Sequence, residues 1–336
     1  MQPTQPLNLS LIIPVYNRPQ EVDELLESLT KQTNPNFEVI IVEDGSTIPC
    51  KDQVDKYMHK LNVCYFAKPN SGPGLSRNYG AEQANGNYLV FLDSDCIIPE
   101  KYIETLFHRL THDCADAFGG PDKADKNFTN IQKSINYAMT SFFTTGGIRG
   151  GNEKMDKFYP RSFNMGYSKE VFSKTGGFST MRFGEDIDMS IRIYKNEFTC
   201  RLFTDAYVFH KRRTDYKKFF RQVFNSGIAR IILEKRHPGS MKLVHTLPSL
   251  FVIGTLFLMI LSIVWTVWAF APLVLLCLIF IIDAAIKNAS LTVGFLAIPA
   301  CFIQLWGYGS GFLLAWWKIK IKSGHDFSAF ENTFYQ

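Results

Sequence analysis

The tripeptide Asp93-Ser94-Asp95 follows directly on the apolar run Tyr88-Leu89-Val90-Phe91-Leu92. The run reads as a buried strand, and side chains at i and i+2 of an extended chain lie on the same side. Two carboxylates delivered that way at a strand end can approach one hard divalent ion. Such an ion keeps waters and takes further ligands from substrate phosphates, which points to a nucleotide diphosphate. The same pattern also serves as a turn or a helix N-cap. A second acidic pair, Glu185-Asp186, opens a segment read as a helix from Asp186 to Asn196, with Ile187, Ile191 and Tyr194 on one side. Acids at that position cap a helix and complement its dipole, or take a proton from a hydroxyl placed against them. His210 follows the apolar run 206–209, read as a strand, and a lone histidine there is more often structural.

The elements that position these residues alternate in type. Leu9–Ile13, Phe37–Val42, Val63–Phe66 and Tyr88–Leu92 read as strands. Between them, Pro19–Thr30 carries Val22, Leu25, Leu26 and Leu29 at helical spacing. Gln53–Leu61 and Leu75–Gln83 read as helices too, and Asn85-Gly86 as a turn. This alternation predicts a parallel α/β sheet. In such sheets ligands bind beyond the carboxyl ends of the strands. The residues there are 14–18, 43–46, 68–71 and 93–95, and all four stretches are polar or turn-forming. The region 111–182 is less regular and glycine-rich, and reads as strands and loops around an acceptor pocket.

Composition divides the 336 residues. From Pro248 to Trp317 the formal charges are Asp283 and Lys287, whereas the preceding 240 or so residues, enough for a full core, carry mixed charge. The runs Leu247–Ile286 and Leu291–Trp317 are long enough for two or three membrane spans. Pro299, Gly307, Gly309 and Gly311 suggest a kink or a re-entrant third segment. Ten bases against three acids fall between Asp205 and Lys242. Apolar residues at helical spacing are interleaved with them, as in a helix lying on an anionic membrane surface; nucleic acid is not expected as a partner. The polar start of the chain lacks a signal-peptide pattern, and the soluble part is therefore expected on the cytoplasmic side. The seven cysteines show no metal-type spacing and are expected to be free thiols. Lys318, Lys320 and Lys322 favour a cytoplasmic tail, in conflict with an odd number of spans.

The loops match a known pattern. Residues 12–18 (IIPVYNR), 42–46 (VEDGS), 70–80 (NSGPGLSRNYG), 91–95 (FLDSD), 164–167 (NMGY), 176–178 (GGF) and 184–188 (GEDID) appear in the order found in glycosyltransferase family 2. The chain resembles these inverting GT-A enzymes over roughly residues 8–215. The resemblance implies a Rossmann-like, mostly parallel catalytic domain that uses nucleotide sugars with Mg or Mn. It implies that Asp44 accepts a hydrogen bond from a uracil or thymine imide and that Pro14, Tyr16 and Asn17 line the nucleotide cleft. Arg77 and Asn78 would meet phosphate or ribose. Asp93, Ser94 and Asp95 form the metal-and-diphosphate motif, with Asp95 the more direct ligand. Asp186, or Glu185 in second place, would be the general base. His210 or Arg213 would contact metal or diphosphate. The Gln-X-X-Arg-Trp motif of processive relatives is absent.

The expected organisation is a cytoplasmic GT-A domain (1–213), a basic interfacial region (214–242), transmembrane helices (243–317) and a basic, then polar, tail (318–336). The expected function is transfer of a sugar from a UDP-type donor to a lipid-linked or surface glycan by a multi-pass inner-membrane enzyme. The alternatives are sugar transfer onto polyprenyl phosphate, a non-catalytic membrane scaffold with a nucleotide-binding fold, and a nucleotidyltransferase.

Overall fold

The computed structural model describes residues 6–113, 115–123, 128–146, 158–211 and 215–321. The chain forms two compact units that interleave in sequence. One comprises 1–125 and 151–211, the other 126–150 and 212–336.

The first unit opens with β1 (Leu9–Val15), α1 (Pro19–Leu29), β2 (Phe37–Asp44), α2 (Lys51–Asp55), β3 (Val63–Lys68), α3 (Pro73–Gln83) and β4 (Tyr88–Leu92). It continues through β5 (Cys96–Ile97), α4 (Tyr102–Asp113), β6 (Ala117–Gly119) and β7 (Asp122–Lys123). The second unit then takes α5 (Asn130–Thr140) and α6 (Phe142–Thr145), before the first resumes with β8 (Asn164–Ser168), α7 (Lys169–Thr175), α8 (Glu185–Lys195), β9 (Cys200–Leu202) and β10 (Val208–His210). The remaining helices, all in the second unit, are α9 (Tyr216–Arg236), α10 (Leu247–Val264), α11 (Ala271–Asn288) and α12 (Leu291–Trp316).

Seven strands form one sheet in the order β3-β2-β1-β4-β8-β6-β9. β1 to β4 are mutually parallel, and β8 runs antiparallel to both β4 and β6. Each face buries its own core. Leu9, Leu11, Ile13 and Val15 of β1 join Val39 and Ile41 on one side, while Ile12 joins Ile40, Val42 and Phe91 on the other. Burial on both faces explains the unbroken apolar runs of these strands, and each such side chain contributes about 1.5–3 kcal/mol. A small second sheet, β5-β10-β7, sits at the ends of the Asp93–Asp95 and 206–210 segments.

Several expectations are corrected. α2 ends at Asp55 rather than Leu61; Val54 is its one buried side chain, and Tyr57 and Leu61 pack against the same core from the turns that follow. In α8 the buried residues include Met189, Ile191 and Ile193 with the acids Glu185, Asp186 and Asp188, so of the side marked by Ile187, Ile191 and Tyr194 only Ile191 is buried and the other two are half-buried. The irregular middle region holds α5, whose capping box of Thr129 and Gln132 is a legible start signal.

In the second unit, α10, α11 and α12 are each long and apolar enough to cross a membrane. α12 is one continuous helix through Pro299, about 39 Å long at 1.5 Å per residue. It packs against α5, α9, α10 and α11. Its glycines are close-packing positions. A Cβ at Gly311 would overlap the Phe224 carbonyl oxygen, and one at Gly227 of α9 would overlap that of Tyr308. The apolar side of α9, expected on a lipid surface, is therefore covered by α12, with Phe219, Val223, Ile228 and Ile231 buried. Replacing Gly311 with Ala should cost about 1–3 kcal/mol through overpacking, read as a lowered thermal midpoint in detergent.

Candidate active site

Four loops leave the carboxyl ends of β1, β2, β3 and β4 and are tied together largely by side chains bonded to backbone. Asn17 sits at φ +54. Its side-chain oxygen accepts from Thr47 N (2.8 Å) and Ile48 N (3.0 Å), and its own N–H donates to Ser46 Oγ at 2.7 Å. Asp44 ends β2 and is 1% exposed. Its carboxylate accepts from Ser71 N and Gly72 N, both at 2.8 Å, and pairs with Lys68. Gly45 follows at φ +71, where a Cβ would stand 2.7 Å from Asn70 N, so the β2 and β3 loops touch through backbone. Asn78 donates to the Phe178 carbonyl (2.8 Å) and accepts from Phe178 N (2.7 Å), which pins the loop before α8. Pro14 and Tyr16 are half-buried at the end of β1 and Ser94 is buried.

The acids converge through three arginines. Arg77 of α3, expected at a phosphate or ribose, is instead 3% exposed and bridges Asp93 (2.7 Å) and Glu185 (3.0 Å), with Phe178 beneath its guanidinium. The reason is burial: a guanidinium removed from water needs carboxylate partners. Arg18 pairs with Asp95 at 2.5 Å and Arg161 with Asp186 at 2.9 Å. None of these pairings was anticipated from the sequence, although Arg18 lies in the first quoted motif. Residues 77 and 185 stand 108 positions apart, and no local pattern marks such a pair.

His210 does join the Asp93–Asp95 motif. β10 lies antiparallel to β5 with His210 opposite Cys96. The imidazole Nε2 is 3.1 Å from Asp95 Oδ1 and 3.9 Å from Asp93 Oδ2, and Nδ1 is 4.0 Å from Asp122. Carboxylate oxygens with an imidazole nitrogen suit a divalent ion such as Mn, so Asp95, Asp93 and His210 fit the ion the resemblance implies. Arg213 and Arg212 lie outside the described residues, as do Gly147, Gly150 and Gly151 of the expected acceptor pocket.

Glu185 starts α8 after Gly184. Burial, then the adjacent Asp186, push its carboxyl up to about 7, against the opposing pull of Arg77. The Asp186 carboxylate accepts from Ile187 N at 2.8 Å and pairs with Arg161 at 2.9 Å.

Residues 10–176, about half of the chain, match the family described as Glycosyl transferase family 2. The chain belongs to glycosyltransferase family 2. A Haemophilus influenzae protein named an uncharacterized glycosyltransferase is 35% identical over 195 residues, covering 55% of this chain and 61% of that protein. The Staphylococcus aureus poly(ribitol-phosphate) beta-N-acetylglucosaminyltransferase TarS is 39% identical over 102 residues, which is 29% of this chain and 18% of TarS. The chain spans less than two thirds of the length of the curated relatives it matches. Among solved structures, the Pyrobaculum calidifontis mannosyltransferase PcManGT in complex with GDP-Man and Mn2+ shares the fold. The TM-score is 0.63 over 91% of this chain and 89% of that one, at 16% identity. The family-2 domain therefore has the GT-A fold.

Two outcomes are expected. Arg77→Met leaves Asp93 and Glu185 without their cation and should cost about 3 kcal/mol, the low end for a broken buried pair because Asp93 is 31% exposed. A lowered thermal midpoint, with partial recovery in Arg77→Lys, checks this. Glu185 titrates near its ordinary 4.5 when unfolded and near 7 when folded. The folded state therefore holds the proton more tightly. The resulting stabilisation is complete below about pH 4.5 and lost as pH rises through about 7. Midpoints measured across that window should fall less steeply in Glu185→Gln than in the parent.

Proposed function

We propose that this chain is a membrane-anchored inverting glycosyltransferase that moves a sugar from a UDP-type donor to a lipid-linked or cell-surface glycan. The observation that carries the reading is the convergence at one sheet edge of Asp93, Asp95 and His210 with the Glu185–Asp186 pair, joined through Arg77. A bound Mg or Mn ion supplies neutralisation of the diphosphate charge. Asp93, Asp95 and His210 would hold that ion at the donor end. Asp44 accepts a uracil imide N–H beside the Ser71 and Gly72 amides it already holds, and Pro14, Tyr16 and Asn17 border the base.

Asp186 takes the proton from the acceptor hydroxyl as that oxygen bonds to the anomeric carbon. The bond from that carbon to the diphosphate breaks on the opposite face, and its electron pair leaves with the nucleoside diphosphate. Arg161 orients the Asp186 carboxylate, and Arg77 orients Glu185. The raised Glu185 carboxyl supports a second reading with Glu185 as base, since a base works best with a pKa near the working pH. The membrane-proximal acceptor is supported by three helices long and apolar enough to span a bilayer in the same chain.

Nucleotide binding and sugar transfer measured on the purified chain separate these roles. Asp186→Asn should keep metal-dependent UDP binding while turnover falls about 10²–10⁴-fold. Asp93→Asn/Asp95→Asn should lose the metal-dependent binding itself. A larger turnover loss in Glu185→Gln than in Asp186→Asn would transfer the base role to Glu185. Unchanged turnover in both would remove the base role from this pair, whereas no turnover in the folded, nucleotide-binding parent would favour a scaffold.

A further inference from the structure

Cys96 follows the metal-binding motif and faces His210 across the β5–β10 pair. Directly opposed residues of an antiparallel pair project from the same face, with Cβ atoms about 4.5–5.5 Å apart. Here that places three unlike donors together. A carboxylate oxygen of Asp95, the Cys96 sulfur and a ring nitrogen of His210 all lie within 4.8 Å of one another. Phe163 steadies two of them. Its ring stacks on the imidazole with centroids 5.0 Å apart, and its carbonyl accepts from the Cys96 thiol at 3.6 Å. Cys96 is 1% exposed, whereas the Asp95 and His210 side chains retain some access to solvent.

Mg takes oxygen ligands, so a sulfur and an imidazole nitrogen contribute little to holding it. One oxygen, one nitrogen and one sulfur donor instead match Zn2+ and softer divalent ions, which bind thiolate and imidazole together. We propose that Asp95, Cys96 and His210 form a site for a divalent ion of the Zn2+ class. The site shares Asp95 and His210 with the donor-binding ion, so Zn2+ competes with Mn2+ there and inhibits. On binding, the Cys96 S–H bond is replaced by a sulfur–metal bond and the proton passes to solvent. The inhibitory consequence rests on the proposed donor site; the ion binding stands on the Asp95–Cys96–His210 geometry alone.

Cd2+ is the probe, because its thiolate complexes absorb in the ultraviolet through sulfur-to-metal charge transfer. Titrated into the detergent-purified full chain, Cd2+ should produce a saturable band. The band should disappear in Cys96→Ser, survive in Cys64→Ser, and require at least about tenfold more Cd2+ in His210→Ala. Thermal midpoints establish that each variant is folded, and Cys96→Ala serves if the serine variant is not. In a parallel Mn2+ resonance titration, Zn2+ should displace Mn2+ from the parent, and Cys96→Ser should raise the Zn2+ needed at least about tenfold. Absence of the band, or its persistence in folded Cys96→Ser, overturns the proposal. A Cys96-dependent Cd2+ band without any Mn2+ binding to the parent leaves the soft-ion site standing and removes the donor-site reading instead.

Discussion

The structure of the site depends on neutralising carboxylates that are forced together. Asp93, Asp95, Glu185 and Asp186 gather at one edge of the sheet, and like charges about 4 Å apart repel by about 4 kcal/mol at an effective dielectric of 20. Each acid meets a guanidinium: Arg77 for Asp93 and Glu185, Arg18 for Asp95, Arg161 for Asp186. Arginine suits this better than lysine because its planar fork serves two carboxylates at once and holds its charge when buried. Arg77 shows the consequence most directly. It stands on α3, Asp93 follows β4 and Glu185 opens α8, so one buried cation fixes three elements that are distant in sequence. Asp93 and the Glu185–Asp186 pair are therefore not independent, since moving either shifts the partner of the other.

A second constraint is that ligand-facing loops must be rigid before a ligand arrives, since positioning contributes to catalysis only when it is already in place. Asp44, Asn17 and Asn78 provide this. All three were expected at the nucleotide, and all three spend their side chains on neighbouring backbone: Asp44 on Ser71 and Gly72, Asn17 on Thr47 and Ile48, Asn78 on Phe178. Contact with a nucleotide and bracing of the loop around it are compatible for Asp44, whose oxygens sit at the strand end. For Asn78, whose amide donates to and accepts from one residue, bracing is what the structure displays.

The parts legible in the sequence are those written in local periodicity. β1 to β4, α1 and α3 follow from apolar runs, a helical stripe and a Pro-Gly start, and Asp93–Asp95 falls where the parallel-sheet rule places a ligand. What escaped depends on pairing across distance. Arg18 and Asp95 are 77 residues apart, and charges of opposite sign are too common for such a partner to be chosen without coordinates. β5, two residues long, has no readable period, and the strand expected at 206–209 carries nothing that fixes its partner, yet the β5–β10 register decides that His210 reaches Asp95. In α8 the apolar pattern found Ile191 and missed the buried acids for a physical reason: apolar periodicity cannot mark carboxylates whose burial is compensated by arginines.

The second unit extends the same logic into an apolar setting. Asp283 of α11 accepts from Lys287 at 2.9 Å and from the Tyr137 hydroxyl at 2.7 Å, so the charges in the apolar run are met by each other and by α5. A carboxylate among apolar helices is costly unless paired and hydrogen-bonded. Tyr137 comes from a segment inserted between β7 and β8, far from the spans in sequence. Ile135 and Ala138 of the same helix are buried with Phe219, Val223, Ala300 and Leu305 in one cluster. The apolar helices thus cover side chains drawn from two earlier parts of the chain. A chain cut after Lys242 would lose α12 and present α5 and the apolar side of α9 to solvent, together with an unpartnered Tyr137. Aggregation of such a fragment would report those uncovered faces and would say nothing of whether the acceptor is lipid-linked, which makes single substitutions within the intact chain the sharper instrument for the function.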